Sequence, residues 1–124
     1  MSQDITADAL NQIMNAKKAG KESLNLARHS KLLESVLKIA KEHNYIEEFK
    51  IEDEILTIKI GKLNKCQAIK PRYYVKKEGI DKYIRRYLPA RDFGIIIVST
   101  NKGLMTNIEL HEEKIGGSVI AYFY

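Results

Sequence analysis

Cysteine occurs once in the 124-residue chain, at Cys66, so no internal disulfide can brace the fold. Its sequence neighbours offer no second ligand at metal-binding spacing. Long apolar runs are missing too. FGIIIV, Phe93 to Val98 with its glycine, reaches only six residues, far short of the roughly 20 residues that a membrane-spanning helix requires. The opening residues, MSQDITADAL, lack a basic leader followed by an apolar centre, so no secretory signal is read there. These absences predict a reducing, cytoplasmic setting and no membrane partner. Internal repeats and low-complexity linkers are absent as well.

Signatures of catalysis are equally scarce. His29, His43 and His111 are isolated, and none lies at an i, i+4 distance from another histidine or a cysteine. Asp92, Glu112 and Glu113 have no partner visible in the sequence for paired-carboxylate chemistry. Ser99 lacks the surrounding G-x-S-x-G of a nucleophile elbow, and no phosphate-cradling glycine loop occurs. The expectation is a protein that is not an enzyme and has no metal, cofactor or small-molecule substrate.

What the chain does have is enough apolar surface to fold and an uneven charge. With 44% hydrophobic and 30% charged residues it should form an ordinary globule. The net charge of +5 is not spread evenly. Residues 1 to 61 carry nine Lys/Arg against ten Asp/Glu, residues 62 to 91 carry ten against two, and residues 92 to 124 carry two against four. A block of net +8, KLNKCQAIKPRYYVKKEGIDKYIRRYLPAR, creates a local field that attracts polyanions. A solvated lysine-rich face is the plainer explanation of the same block.

Periodicity divides the chain into two modules, 1–62 and 63–124. In the first, Asp4 to Lys18 places Leu10, Ile13 and Met14 on one helical face, and Gly20 ends the pattern. Glu22 to Ala27 alternates like a short edge strand. Ser30 is read as the N-cap of a second helix carrying Leu33, Val36, Leu37 and Ala40, with Asn44 as its stop. Tyr45 to Ile51 and Ile55 to Ile60 flank the turn-like Glu52, Asp53 and Glu54, which predicts a β-hairpin. The expected order is helix, strand, helix, hairpin.

The second module should be a mainly antiparallel sheet with a short helix, making the whole α+β, with two small α/β modules packed together. Cys66 to Val75 reads as extended, because Pro71 removes a backbone donor and biases Lys70 away from helix. Gly79 to Tyr87 reads as a short helix or an irregular connection. Phe93 to Val98 has the composition of a strand covered on both faces. Thr106 and Glu109 have the spacing of a capping box, so a helix should start there, run to about Lys114 and end at Gly116 and Gly117. Ser118 to Tyr124 should then be a terminal strand.

Between the apolar strand and that helix lies STNKGLMT, Ser99 to Thr106, with one charge in eight residues. Hydroxyls and amides both donate and accept hydrogen bonds, whereas lysine only donates. Such a loop is suited to base edges or sugar hydroxyls, while lysines and arginines hold phosphates without reading sequence. The same residues are also standard turn formers whose side chains satisfy the local backbone. Composition alone leaves both readings open.

Four blocks, DITADALNQIMNA, GKLNKCQAIKPRYYV, LPARDFGIIIVSTNKGLMT and IGGSVIAYFY, occur in the order found in the small-subunit ribosomal protein eight family and span nearly the whole chain. The middle block and LPARDFG resemble its archaeal and eukaryotic branch. The resemblance implies a cytoplasmic, ribosome-bound structural protein. It would bind an irregular helix in the central domain of the small-subunit ribosomal RNA, promote assembly and contact neighbouring small-subunit proteins. In the family a Ser-Thr-Ser-x-Gly loop inserts toward the minor groove of that helix; here it corresponds to Ser99, Thr100, Asn101 and Gly103, with Asn101 replacing the usual third serine. The family's Gly-Gly turn implicates Gly116 and Gly117, and its N-terminal helix implicates Asn11 and Asn15 in backbone contacts. Lys70, Arg72 and Lys102 would neutralise phosphates, and Tyr73 or Tyr74 would stack on a base or ribose, the other packing into the core. A free-standing translational regulator would use the same surface, and a protein-interaction module without RNA is the alternative of another class.

Overall fold

The apolar spacing of the first segment produces α1 (Ile5–Lys18), which buries Ala9, Leu10 and Ile13. A computed structural model describes residues 5–69, 73–76, 79–90 and 93–124. After β1 (Ser23–Leu26), the Ser30 Oγ accepts the Leu33 N–H at 3.2 Å and starts α2 (Lys31–Glu42), whose Leu33, Val36, Leu37 and Ala40 are buried. Asn44 sits at φ +67, and the next N–H, from Tyr45, donates to Ala40 O at 2.9 Å, closing the helix with a left-handed stop. β2 (Ile46–Glu52) and β3 (Ile55–Ile60) then form the expected hairpin. Its turn residues Asp53 and Glu54 both have positive φ, the conformation that suits the right-handed strand twist. The sheet order β1-β3-β2 leaves β1 at an edge.

The chain divides into two compact units, Met1–Cys66 and Gln67–Tyr124. The division falls between 66 and 67 rather than between 62 and 63, because Leu63 and Cys66 are buried and Cys66 is bonded to α1. Its N–H donates to the Met14 sulfur at 3.3 Å, and its thiol lies 3.7 Å from Leu10 O.

The second unit is built on a five-stranded antiparallel sheet. It contains β4 (Cys66–Ala68), β5 (Tyr74–Val75), β6 (Ile95–Thr100), β7 (Gly103–Thr106) and β8 (Gly117–Phe123) in the order β4-β8-β6-β7, with β5 also on β8. Ile95, Ile96, Ile97 and Val98 are all buried, as their uninterrupted apolar run requires. Residues 80–87 form a helix, α3 (Ile80–Tyr87), and with α4 (Asn107–Glu113) it contributes to one apolar cluster of Ile80, Ile84, Val98, Leu110 and Val119. Among the described residues no helix is long and apolar enough to cross a membrane.

Two expectations are corrected here. STNKGLMT is not a strand-to-helix loop: Gly103–Thr106 forms β7, paired with β6 from Ile97↔Thr106 to Thr100↔Gly103. Four residues are too few to show a period, yet Met105 opposes Val98 and is buried with it. The capping box does start α4, with the Glu109 N–H on Thr106 Oγ1 at 3.3 Å. That helix ends at Lys114, in the left-handed region at φ +57 with its N–H on Leu110 O, so Gly116 and Gly117 are not its stop.

β7 gives way to α4 just where β6 still needs a partner. Beyond the Ile97↔Thr106 pair the Ile96 N–H has no strand beside it, and the Asn107 side chain supplies the acceptor, Oδ1 at 3.1 Å. Both groups are buried. Asn107→Leu should therefore strand that N–H and cost about 1–3 kcal/mol, read as a lower urea midpoint at unchanged m-value.

Burial also pushes the Cys66 thiol up to about 12 from an ordinary 9.0. A folded-state pKa raised in this way gives stability that is complete below pH 9.0 and declines as pH climbs toward 12, because only the unfolded thiol ionises in that window. The urea midpoint should fall more steeply over this range than that of Cys66→Val. A disulfide reagent added at neutral pH should label the native chain only once denaturant unfolds it, and prompt labelling without denaturant would contradict the buried placement.

Candidate nucleic-acid interface

The first residues of β8 are paired on both sides. Ser118 opposes Tyr74 of β5 and Ser99 of β6, and Ser99 in turn opposes Leu104 of β7. Directly opposed residues in antiparallel strands project from the same face. Tyr74, Ser118, Ser99 and Leu104 therefore make a row across four strands, with Tyr74 exposed at 69% and the others half-buried. The neighbouring positions Val75, Val98, Met105 and Val119 face the other way and are buried. One end of the sheet thus offers an aromatic ring and two hydroxyls without a charge.

At the tip of the β6–β7 hairpin the Thr100 hydroxyl is already engaged. It donates to Gly103 O at 2.7 Å and accepts the Lys102 N–H at 3.1 Å, which closes the turn around Asn101 and Lys102. Gly103 has φ +106, the left-handed conformation that lets a hairpin tighten after such a turn. Only a lone pair of Thr100 is left for a ligand. Among the described residues the side chains of Ser99 and exposed Asn101 have no hydrogen-bond partner, so their full donor and acceptor capacity is available. Lys102 Nζ lies 3.6 Å from Glu113 Oε2, and both side chains are about half exposed (58% and 49%). An ion pair so open to water is weak and is readily exchanged for a phosphate.

Gly116 and Gly117 are needed by the protein itself. A Cβ on Gly116 would come within 2.5 Å of Val75 O, and one on Gly117 would strike the Ser99 carbonyl. The two glycines let β8 approach β5 and β6 closely enough to align the row. Their part in the row is to bring Ser118, Ser99 and Tyr74 into line.

The remaining expected site residues fall elsewhere. Tyr73 is the less exposed of the two adjacent tyrosines, at 36%, with its ring 5.8 Å from Tyr83. Asn11 and Asn15 are exposed on α1 at i, i+4, on one face of that helix but in the first unit. Lys70 and Arg72 lie outside the described residues. Ser118 was missed by sequence reasoning. The register shift between Ile97 and Val98 in the β6–β8 pairing interrupts simple alternation, so a count along β8 does not assign its face. Among the described residues no three His, Cys, Asp or Glu side chains gather to hold a metal ion.

The sequence was compared with known families and proteins. The family model described as Ribosomal protein S8 matches residues 4–124. A "Small ribosomal subunit protein uS8" from Thermoplasma acidophilum is 43% identical over 129 aligned positions, covering 100% of both chains. The protein of the same name from Thermoplasma volcanium is 42% identical with the same full coverage. Identity of this degree along both whole chains, together with a family match from residue 4 to the last residue, places the chain in the ribosomal protein S8 family.

Proposed function

We infer that this protein is a structural constituent of the small ribosomal subunit, located on cytoplasmic ribosomes, and that it binds an irregular helix in the central domain of the small-subunit RNA. Family membership supplies the class of function. The row of Tyr74, Ser118 and Ser99, continued by Asn101 at the hairpin tip, is the observation that carries the RNA contact. Neutral donors and acceptors on a rigid sheet read base edges and ribose hydroxyls at little entropic cost, because strand pairing already fixes their backbone. A regular RNA helix presents ribose hydroxyls in its shallow minor groove, and displaced bases add the Watson–Crick edges that pairing would occupy, so the row suits an irregular helix.

Affinity comes from charge. Lys70 and Arg72 precede β5 in the chain, and Lys102 flanks the hairpin tip, so cations bracket the neutral row in sequence. They neutralise phosphates and release counterions, which makes binding salt-dependent without selecting a sequence. Asn11 and Asn15 add backbone contacts from the first unit, and of the two adjacent tyrosines it is Tyr74 that stacks, Tyr73 projecting away from the row. None of these residues has a catalytic role in this reading, and the further partners are neighbouring small-subunit proteins.

The division of labour can be measured by filter binding at two salt concentrations. Ser99→Ala should narrow the gap between cognate and base-substituted RNA by about 1 kcal/mol. Lys70→Ala should weaken both RNAs alike and reduce the salt slope by about 0.7–0.9. Thr100→Ala should do both damage to the turn and harm to discrimination, because its hydroxyl holds the hairpin tip closed. Equal losses for every RNA in the Ser99 and Lys70 variants would refute the separation of reading from charge.

A further inference from the structure

Six aromatic rings of the second unit touch in series. Tyr73 meets Tyr83 at 5.8 Å between centroids, Tyr83 meets Tyr87 at 6.4 Å, and Tyr87 meets Tyr122 at 5.1 Å. Tyr122 meets Tyr124 at 6.1 Å, and Tyr124 meets Phe93 at 6.2 Å. Tyr122 belongs to the apolar cluster and Tyr83, Tyr87 and Tyr124 pack against it, while Tyr73 and Phe93 extend the chain of rings beyond the core. Tyr122 alone is buried, its hydroxyl donating to Gln67 Oε1 at 2.9 Å. Tyr83, Tyr87 and Tyr124 are half-buried, and the two ends are open, Tyr73 at 36% and Phe93 at 48%.

Charge is sorted along the same stripe. On α3, Tyr83 and Tyr87 form one i, i+4 row, and Lys82 and Arg86 form the row beside it. The Arg86 guanidinium lies 5.4 Å above the Tyr87 ring. Lys82, Arg85 and Arg86 are exposed and have no carboxylate partner among the described residues. The helix's one acid, Asp81, is on the other side, where it lines a cavity of about 300 Å³ together with Arg85, Ile84, Leu88 and Pro89. Lys82 and Arg86 border the aromatic stripe, while Arg85 lies with the acid away from it.

Exposed rings bordered by cations that have no carboxylate partner among the described residues match the faces and phosphates of unstacked nucleotides. A fully paired duplex cannot present base faces to them, and a basic partner is repelled. We propose that this stripe is a second nucleic-acid site that binds an unpaired RNA strand, with bases stacking at Tyr73 and Phe93 and phosphates on Lys82 and Arg86. It is separate from the neutral row, since adjacent Tyr73 and Tyr74 on an extended segment project to opposite faces. The rings hold one another in place, so a bound base meets a surface that has little rotamer entropy left to lose.

The test is a titration of the full chain with labelled oligoadenylate, oligouridylate and a fully paired RNA duplex at one fixed low salt concentration. Oligoadenylate should bind tightest, because purines offer the larger stacking face. Phe93→Ala and Arg86→Gln should each weaken it about fivefold or more, while leaving affinity for the irregular helix of the first site unchanged. Lys38→Gln, an equal loss of charge from exposed α2, should cost less than about twofold. Both test positions are on the surface, and unchanged thermal melts will verify folding. Absence of oligoadenylate binding, or equal weakening by Phe93→Ala and Lys38→Gln, would overturn the proposal. So would variants that bind oligoadenylate normally but fail to enter small subunits, which would assign the stripe to a protein. Loss of irregular-helix binding with oligoadenylate binding intact would instead count against the first site alone.

Discussion

No side chain fits between Gly117 and the Ser99 carbonyl, nor between Gly116 and Val75 O. That close approach seats the start of β8 between β5 and β6, and the alignment of this end of the second unit's sheet depends on it. With β8 in place, Ser118 stands opposite both Tyr74 and Ser99, and three segments distant in sequence contribute to one row. The same pairing holds Tyr73 to β8 through the Val119 N–H on Tyr73 O at 2.9 Å, which sets the first ring of the aromatic chain. A pair of glycines usually read as a turn is here a spacing device between three strands.

Neighbouring hydroxyls at the hairpin tip are used differently. Thr100 behaves as a turn residue, spending its proton on Gly103 O, while Ser99 one position earlier lies on the open row and keeps its hydroxyl. Alternation along a strand makes this separation automatic. Lys102 is held loosely by Glu113, so the one charge at the tip is parked rather than committed. The neutral groups and the one charge at this tip thus belong to different side chains.

Legibility followed the length of the signal. α2 and β6 were readable because a full helical period or an unbroken apolar run leaves few alternatives, and the Thr106 cap was readable because two side chains at fixed spacing define it. β7 escaped notice since its four residues are too short for a period and owe their strand state to pairing with β6. The role of Asn107 was invisible for a related reason: the N–H that it satisfies, on Ile96, becomes an orphan only once β7 has ended. In the site, Ser99 and Asn101 stood out by composition, but Ser118 did not, because the register shift in the β6–β8 pairing hides which face it takes.

Composition and periodicity by themselves determined the class of molecule: an α+β chain of two units, a basic segment concentrated in one quarter, a neutral polar stretch after a buried strand, and spaced blocks characteristic of one family. Those properties are local, set by each residue's own chemistry and that of neighbours a few positions away. Tertiary structure alone decided which of the polar groups are free, which glycines are structural and which rings line up. Each of those depends on strand register and close backbone approach between segments tens of residues apart, and the pairing energies that set them are not written in any one segment.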